Sequence, residues 1–170
     1  MRADARRNYE RLLAVADVVV AEQGADASLE EIARRAGVGS ATLHRHFPGR
    51  YAVLEAVFRD RVAALCALAT EPGIDVVTWL RAVVTHAATN RGLGAALMTG
   101  ERGTELGSSS HALITTAGET LLVRAQQAGA VRAGVSIADL LTVVGAIAQA
   151  TEQEPDRADR LLTLLINGVR

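Results

Sequence analysis

The segment Ser28–Arg50, SLEEIARRAGVGSATLHRHFPGR, determines how the amino-terminal part of the chain folds. Ser28 and Glu31 have the spacing of a capping box, in which the serine oxygen accepts a backbone hydrogen bond and the glutamate reaches back. The apolar stripe that follows is interrupted by the glycines of AGVG. This pattern predicts two short helices, at residues 29–36 and 40–47, joined by a tight turn: a helix-turn-helix.

The second of these helices has one apolar face and one free face. Leu43 and Phe47 form the apolar inner face, and the outer positions are small or polar. Residues 34–50 contain four arginines and no acidic residue. A short helix of this kind can enter the major groove of double-stranded DNA and bring its backbone close to the bases. The free face consists of Ser40, Ala41, Thr42, His44, Arg45 and His46.

The composition of the whole chain favours an all-α fold. Of its 170 residues, 49% are apolar and only 3% are aromatic, so the core has to be built from Ala, Val and Leu, which suit close-packed helices. Residues 98–110, rich in Gly, Ser and Thr, are predicted to form a mobile loop. Apolar periodicity and breakers predict about nine helices, at 4–23, 29–36, 40–47, 50–70, 75–90, 92–98, 111–128, 136–151 and 155–169.

Several functional classes are disfavoured by what the chain contains. Cys66 is the single cysteine, so we expect neither an internal disulfide nor a zinc cluster, and its place on an apolar helix face predicts an inert thiol. His44 and His46 are two residues apart, which places them on different helix faces and argues against a metal pair. The charged start of the chain and the lack of a long apolar run predict a cytoplasmic protein with no membrane partner.

An enzyme is only a distant alternative. Ser108, Ser109, Ser110 and His111 are adjacent, but the strand, turn and helix of a nucleophile elbow are missing around them. The glycines at 37, 39, 92 and 94 follow helices rather than strands, so they do not form a dinucleotide fingerprint. We therefore expect no catalytic residue and no cofactor.

The last two predicted helices are apolar over more than one stripe. A helix that is apolar nearly all round has to be covered on two sides. One side can be the chain's own core, and the other predicts a second copy of the chain. The alternative is that both are central core helices of a monomer. The residues predicted for the homodimer interface are Leu140, Val144, Ile147, Leu161 and Leu165.

The segment Arg7–Glu55 resembles the DNA-binding domain of TetR-family transcriptional regulators. The resemblance is carried by RLLAVA, by GADASLEEIARRAGV across the turn, and by ATLHRHFPGR. It implies a three-helix DNA-binding domain at residues 1–48 and a helical domain for ligand binding and dimerisation at residues 49–170. It also implies a regulator, typically a repressor that a small molecule releases from an inverted-repeat operator.

The resemblance assigns DNA contacts residue by residue. Ser28 and Arg50 match positions that contact phosphates, and His44 matches a position usually occupied by Tyr. Gly39 matches a position usually occupied by Ser, where it gives up a side-chain cap. The DNA-binding set is Ser28, Gly39, Ser40, Ala41, Thr42, His44, Arg45, His46 and Arg50.

The resemblance also places an effector site in the second domain, for an apolar or amphipathic molecule that would shift the long helix beginning at Arg50. A regulator without a small-molecule effector, controlled by a protein partner, is the main alternative, because ordinary core packing explains the same side chains. The candidate effector contacts are Phe58, Leu65, Trp79, His86, Asn90, Leu97, Met98 and Thr116.

Overall fold

The computed structural model describes residues 2–98, 103–151 and 154–169. Within these ranges the regular structure is helical throughout, which confirms the all-α prediction, and a 3-10 turn covers Gly24–Asp26. No described helix is both long and apolar enough to span a membrane. The described residues form nine α-helices: α1 (Arg2–Gln23), α2 (Leu29–Ala36), α3 (Ser40–His46), α4 (Arg50–Leu68), α5 (Val76–Thr89), α6 (Arg91–Met98), α7 (Gly103–Gln127), α8 (Ile137–Ala150) and α9 (Pro155–Val169).

The described residues group into two compact units. The first draws on residues 1–60 and 92–103, and the second on 61–91 and 104–170. The division falls inside α4, so this one helix contributes residues to both units. The domain boundary between residues 48 and 49 stays a prediction.

The capping box at the start of α2 forms only in part. Ser28 Oγ accepts from the backbone N–H of Glu31 at 3.3 Å, as predicted. The Glu31 carboxylate does not reach back to Ser28; it accepts from Arg34 and Arg35 instead. The Ser28 backbone N–H donates to Gln23 Oε1 at 2.9 Å. The reciprocal bond is lost because two arginines one turn along α2 are stronger partners for a carboxylate than a neutral amide.

The turn between α2 and α3 depends on one glycine. Gly37 ends α2 with φ of 64° and ψ of 35°, a left-handed conformation that a side chain disfavours. Its N–H donates to the carbonyls of Ala33 and Arg34 in the last turn of α2, which satisfies part of the helix end.

The core of the first unit fixes α3 through two side chains. Leu43 and Phe47 are 1% and 2% exposed, which confirms the predicted inner face. Helix α2 packs against both α1 and α3. The apolar side chains buried with them are Leu12, Ala16, Val19, Ile32, Val53 and Val57.

The core of the second unit surrounds Trp79. Its indole is fully buried, and Nε1 donates to the Leu65 carbonyl at 3.0 Å, so the polar group is satisfied. Helix α5 packs against α8 and α9 in this core. Gly118 on α7 admits the indole: a Cβ there would lie 2.7 Å from two ring carbons of Trp79 and from Ile137 Cδ1.

The structure contradicts the predicted loop at 98–110 over its described part. Residues 103–110 form the first turns of α7, and residues 99–102 lie outside the described residues. Leu106 and Ser110 are buried on this stretch, and Ser109 Oγ donates to the Leu106 carbonyl at 3.1 Å. Burial of one helix face outweighs the weak helix propensity of Gly and Ser.

The close contact at Gly118 predicts a difference between two helical glycines. We expect Gly118→Ala to lower the free energy of unfolding by about 1–3 kcal/mol, because overpacking displaces the indole. Gly92→Ala, where the new methyl meets nothing within 4 Å, should be neutral or stabilising by up to about 1 kcal/mol. Urea unfolding of both variants measures this, and equal effects would contradict the packing around Trp79.

Candidate nucleic-acid interface and effector site

Helix α3 presents the predicted DNA-contacting residues on its outer side. Ser40, Ala41, His44 and Arg45 are exposed, and Thr42 is half-buried. Gly39 is the N-cap, in an extended conformation and without a side-chain hydrogen bond to the helix. The small residues at this end leave the backbone N–H groups of the first turn accessible, which suits an approach to DNA.

His46 differs from its predicted place on the free face. It is half-buried, and its ring lies 5.9 Å from the ring of Tyr9 on α1. Tyr9 also contacts Phe47 at a centroid distance of 5.5 Å. His46 is the last residue of α3 and directly precedes the buried Phe47, and Tyr9 of α1 contacts the rings of both residues. The other outer residues remain the candidates for base contacts.

The arginines of α2 are neutralised by an ion network that joins two helices. Arg35 contacts Glu22 of α1 at 2.8 Å and Glu31 at 2.5 Å, and Arg34 contacts Glu31 at 2.7 Å. Hydrogen bonds from Arg34 and then Arg35 lower the pKa of Glu31 to about 2. Arg35 therefore joins α2 to α1, whereas Arg34 is paired within α2, and only part of the basic charge of this segment is available to DNA.

The remaining basic residues and Ser28 define a second edge of the candidate surface. Arg45 has no carboxylate partner among the described residues. Arg50 Nη1 lies 3.5 Å from Asp26 Oδ1, in a side-chain pair that is 54% and 95% exposed. Ser28 Oγ donates to Glu30 Oε2 at 3.0 Å. Both predicted phosphate contacts thus already have acidic partners.

The candidate effector residues are divided between the two units. In the first unit, Phe58 is half-buried, and Leu97 is fully buried with its carbonyl accepting from Tyr51 Oη at 3.3 Å. Met98 is the last residue of α6, and its side chain lies outside the described part of the structure.

In the second unit, the candidate residues have different surroundings. Leu65 and Trp79 are buried in the core, whereas Thr116 is exposed on α7. Thr116 therefore lies on the surface, away from the buried effector candidates Leu65 and Trp79.

A polar cluster in the second unit joins two of the candidates to a residue that the sequence did not reveal. Asn90, 4% exposed, accepts from Arg61 Nη1 at 2.7 Å through Oδ1, and its Nδ2 lies 3.0 Å from His86 Nδ1. Burial, and secondarily Arg61, lowers the pKa of His86, which keeps the imidazole neutral near pH 7. In the sequence, Arg61 falls on the apolar stripe of α4. It is 29 residues away from Asn90, so no local pattern predicts that the two side chains are in contact.

A separate groove of about 290 Å³ lies between α5 and the start of α9. Val84, Ala158 and Leu162 form its base, and the Arg81–Asp159 ion pair, 2.7 Å, stands at its rim. None of the candidate effector residues lines this groove, because it borders the opposite face of α5.

The predicted interface residues of α8 and α9 are mostly used inside the protomer. Leu140, Val144 and Ile147 are buried in the core of the second unit, while Leu161 and Leu165 are half-buried. Because α8 is apolar over more than one stripe, its sequence alone does not distinguish the stripe that faces the core from the outer one. The large apolar side chains exposed on these two helices are Val143 and Leu164, 39% and 68% exposed.

Taken together, a helix-turn-helix with an open second helix, followed by a helical domain, defines a DNA-binding regulator. Comparison with known proteins agrees. Residues 12–57 match the family described as bacterial regulatory proteins, tetR family, and residues 71–170 match the carboxy-terminal domain of SbtR-like transcriptional regulators. The chain belongs to the TetR family of transcriptional regulators, which are not enzymes.

Individual relatives cover most of the chain. An uncharacterized HTH-type transcriptional regulator of Mycobacterium bovis, Mb2274c, is 34% identical over 89% of this chain and 84% of its own. The crystal structure of the TetR regulator SCO0520 from Streptomyces coelicolor is 33% identical, with a TM-score of 0.79 over 95% and 98% of the two chains. The fold is shared by Bacillus subtilis FadR, solved in complex with stearoyl-CoA, at 16% identity and a TM-score of 0.62 over 95% and 100%.

The ion network on α2 predicts a pH-dependent stability. The pKa of Glu31 is lowered on folding, so its contribution is present above its ordinary pKa of 4.5 and is lost as the pH falls towards about 2. We expect Glu31→Gln to lower the Tm at pH 6 and to have a smaller effect at pH 3. Thermal denaturation at both pH values tests this. A difference in Tm that does not change with pH would show that the carboxylate charge contributes nothing.

Proposed function

We propose that this regulator is a sequence-specific repressor that binds an inverted-repeat operator as a homodimer and is released by a small molecule. The observation that supports it most is the open face of α3, which carries small residues and the exposed Arg45 above a buried Leu43 and Phe47. Short side chains at the start of such a helix allow close contact with base edges. We further propose that it acts in the cytoplasm, where it has access to the chromosome.

Affinity and sequence preference come from different residues in this proposal. Arg45 and Arg50 contribute to phosphate affinity, which falls as salt increases. Ser40, Ala41 and Thr42 contact bases or the nearby backbone. Because none of them is a long bidentate side chain, each half-site gives modest discrimination, supplemented by DNA shape. Two half-sites on one dimer make the total discrimination sufficient.

The dimer surface that we propose consists of the outer faces of α8 and α9. Leu164, with 68% of its surface exposed, and Val143 are large apolar side chains that core packing does not use. The exposed residues that follow Val143 on α8 include Gly145 and Ala146, which allow two helices to approach closely. In a dimer with a two-fold axis, the outer faces of α8 and α9 of one protomer pack against the same two faces of its partner.

The effector site that we propose uses the polar cluster Arg61, His86 and Asn90 beside the buried apolar side chains Leu65 and Trp79. A ligand pocket typically combines an apolar wall with a few polar groups that fix the orientation. Stearoyl-CoA in FadR is an amphipathic molecule on the same fold, which fits this class of effector. The ligand releases DNA only if it binds the DNA-free conformation more tightly than the DNA-bound one.

Selection of bound fragments from a genomic DNA pool at near-physiological salt tests the proposal. We expect enrichment of an inverted repeat with half-sites about one helical turn apart. Amphipathic and apolar compounds, stearoyl-CoA among them, are then added to the complex. Release by one of them supports the effector; an operator complex that no compound dissociates would favour control by a protein partner. A folded dimer that enriches no sequence would contradict the repressor.

Two substitutions separate phosphate contacts from base contacts. Arg50→Ala should weaken binding to every duplex and reduce the slope of log K against log salt by about 0.9, because one phosphate contact is lost. Thr42→Val keeps the side-chain shape but removes a hydroxyl, so it should change relative affinities among operator variants by about 1 kcal/mol. Fluorescence anisotropy across a salt series measures both. An unchanged salt slope for Arg50→Ala would contradict the proposed orientation on DNA.

The dimer is tested by a charge on the outer face of α9. Leu164→Glu should give a monomer in analytical ultracentrifugation, because the new carboxylate would be buried against its symmetry mate. Val18→Glu is the matched control: Val18 is 50% exposed on α1 and should leave the dimer intact. If Leu164→Glu stays dimeric, the interface lies elsewhere.

A further inference from the structure

In the free protein, two donors of the proposed DNA surface are occupied by the chain's own carboxylates. The Ser28 hydroxyl donates to Glu30 Oε2 at 3.0 Å, and Arg50 Nη1 lies 3.5 Å from Asp26 Oδ1. These are the two side chains for which the sequence predicted phosphate contacts. A carboxylate and a phosphate offer the same anionic oxygens to such donors.

The two carboxylates belong to one region of the surface. Asp26 ends the 3-10 turn before α2, and Glu30 is in the first turn of α2. Hydrogen bonds from its own backbone N–H and then from the Ser28 hydroxyl lower the pKa of the Glu30 carboxyl group, and weaker electrostatic interactions with His44 of α3 and Arg50 of α4 lower it further. Glu30 is therefore ionised near neutral pH, between the basic residues that border α3.

We infer that Asp26 and Glu30 act as intramolecular competitors of DNA phosphates, and that they set the affinity of this surface for DNA. This inference rests on the proposed function, because it requires that the face of α3 binds DNA. A phosphate that takes the Nη1 donor of Arg50 has to displace Asp26 from it. For one to reach Ser28, the hydroxyl has to leave Glu30, whose charge remains close to the phosphate.

The competition acts on all DNA alike. Phosphate contacts carry no sequence information, so the two carboxylates weaken binding to operator and to random duplex by the same factor. They thereby keep the protein from accumulating on bulk DNA, where phosphate contacts supply nearly all of the affinity. The ratio of the operator affinity to the random-duplex affinity is unchanged and is set by the base contacts that only an operator adds.

The direct test uses Asp26→Asn and Glu30→Gln. Each should tighten binding to a random 20-base-pair duplex about two- to fivefold at 50 mM salt, the range of an exposed ion pair. The gain should shrink as salt screens the charges. Asp159→Asn and Glu154→Gln are matched controls, since these exposed carboxylates also pair with arginines but belong to the second unit. Melting curves identify any variant that is destabilised.

A double variant tests whether Asp26 acts through its contact with Arg50. In an Arg50→Ala background, Asp26→Asn should give no more than the control variants give, because the contact that it frees is gone. If wild type binds the duplex but Asp26→Asn and Glu30→Gln bind like the controls, the inference is wrong while the proposed function stands. If wild type binds no duplex even at 50 mM salt, the proposed function itself fails.

Discussion

The burial of Leu43 and Phe47 is the contact on which the rest of this structure depends. Helix α3 has seven residues, and a helix of that length is not stable in water by itself. Its two inner side chains, 1% and 2% exposed, attach it to the core of the first unit. Because those two positions provide the attachment, the opposite face needs no apolar residue and is available to bind a ligand as large as DNA.

The arginines near α3 differ in whether a carboxylate is paired with them. Arg35 connects α1 and α2 through Glu22 and Glu31, so its charge serves the fold. Arg45 is left without a carboxylate partner among the described residues, and Arg50 has only an exposed, 3.5 Å pair with Asp26. The charged residues that hold the helices together are thus different from those that we propose to contact DNA, although both groups are close in sequence.

Local patterns predicted the parts of the fold that local interactions decide. The Ser28 cap, the glycine turn and the inner face of α3 follow from spacing and backbone conformation, and all were found. The predicted loop at 103–110 was wrong because burial of Leu106 is a tertiary effect. Similarly, Arg61 and Asn90 are brought together by the packing of α4 and α5, which no local pattern reveals. The predicted effector and interface residues remain proposals for the same reason.

Binding of DNA to the outer face of α3 can be observed by ¹H–¹⁵N NMR of the protein titrated with a short random duplex at low salt. If α3 binds the duplex, the largest amide shifts fall on residues 39–46 and at Ser28 and Arg50, while buried amides near Trp79 change little. Shifts concentrated in the second unit, with α3 unaffected, would contradict it.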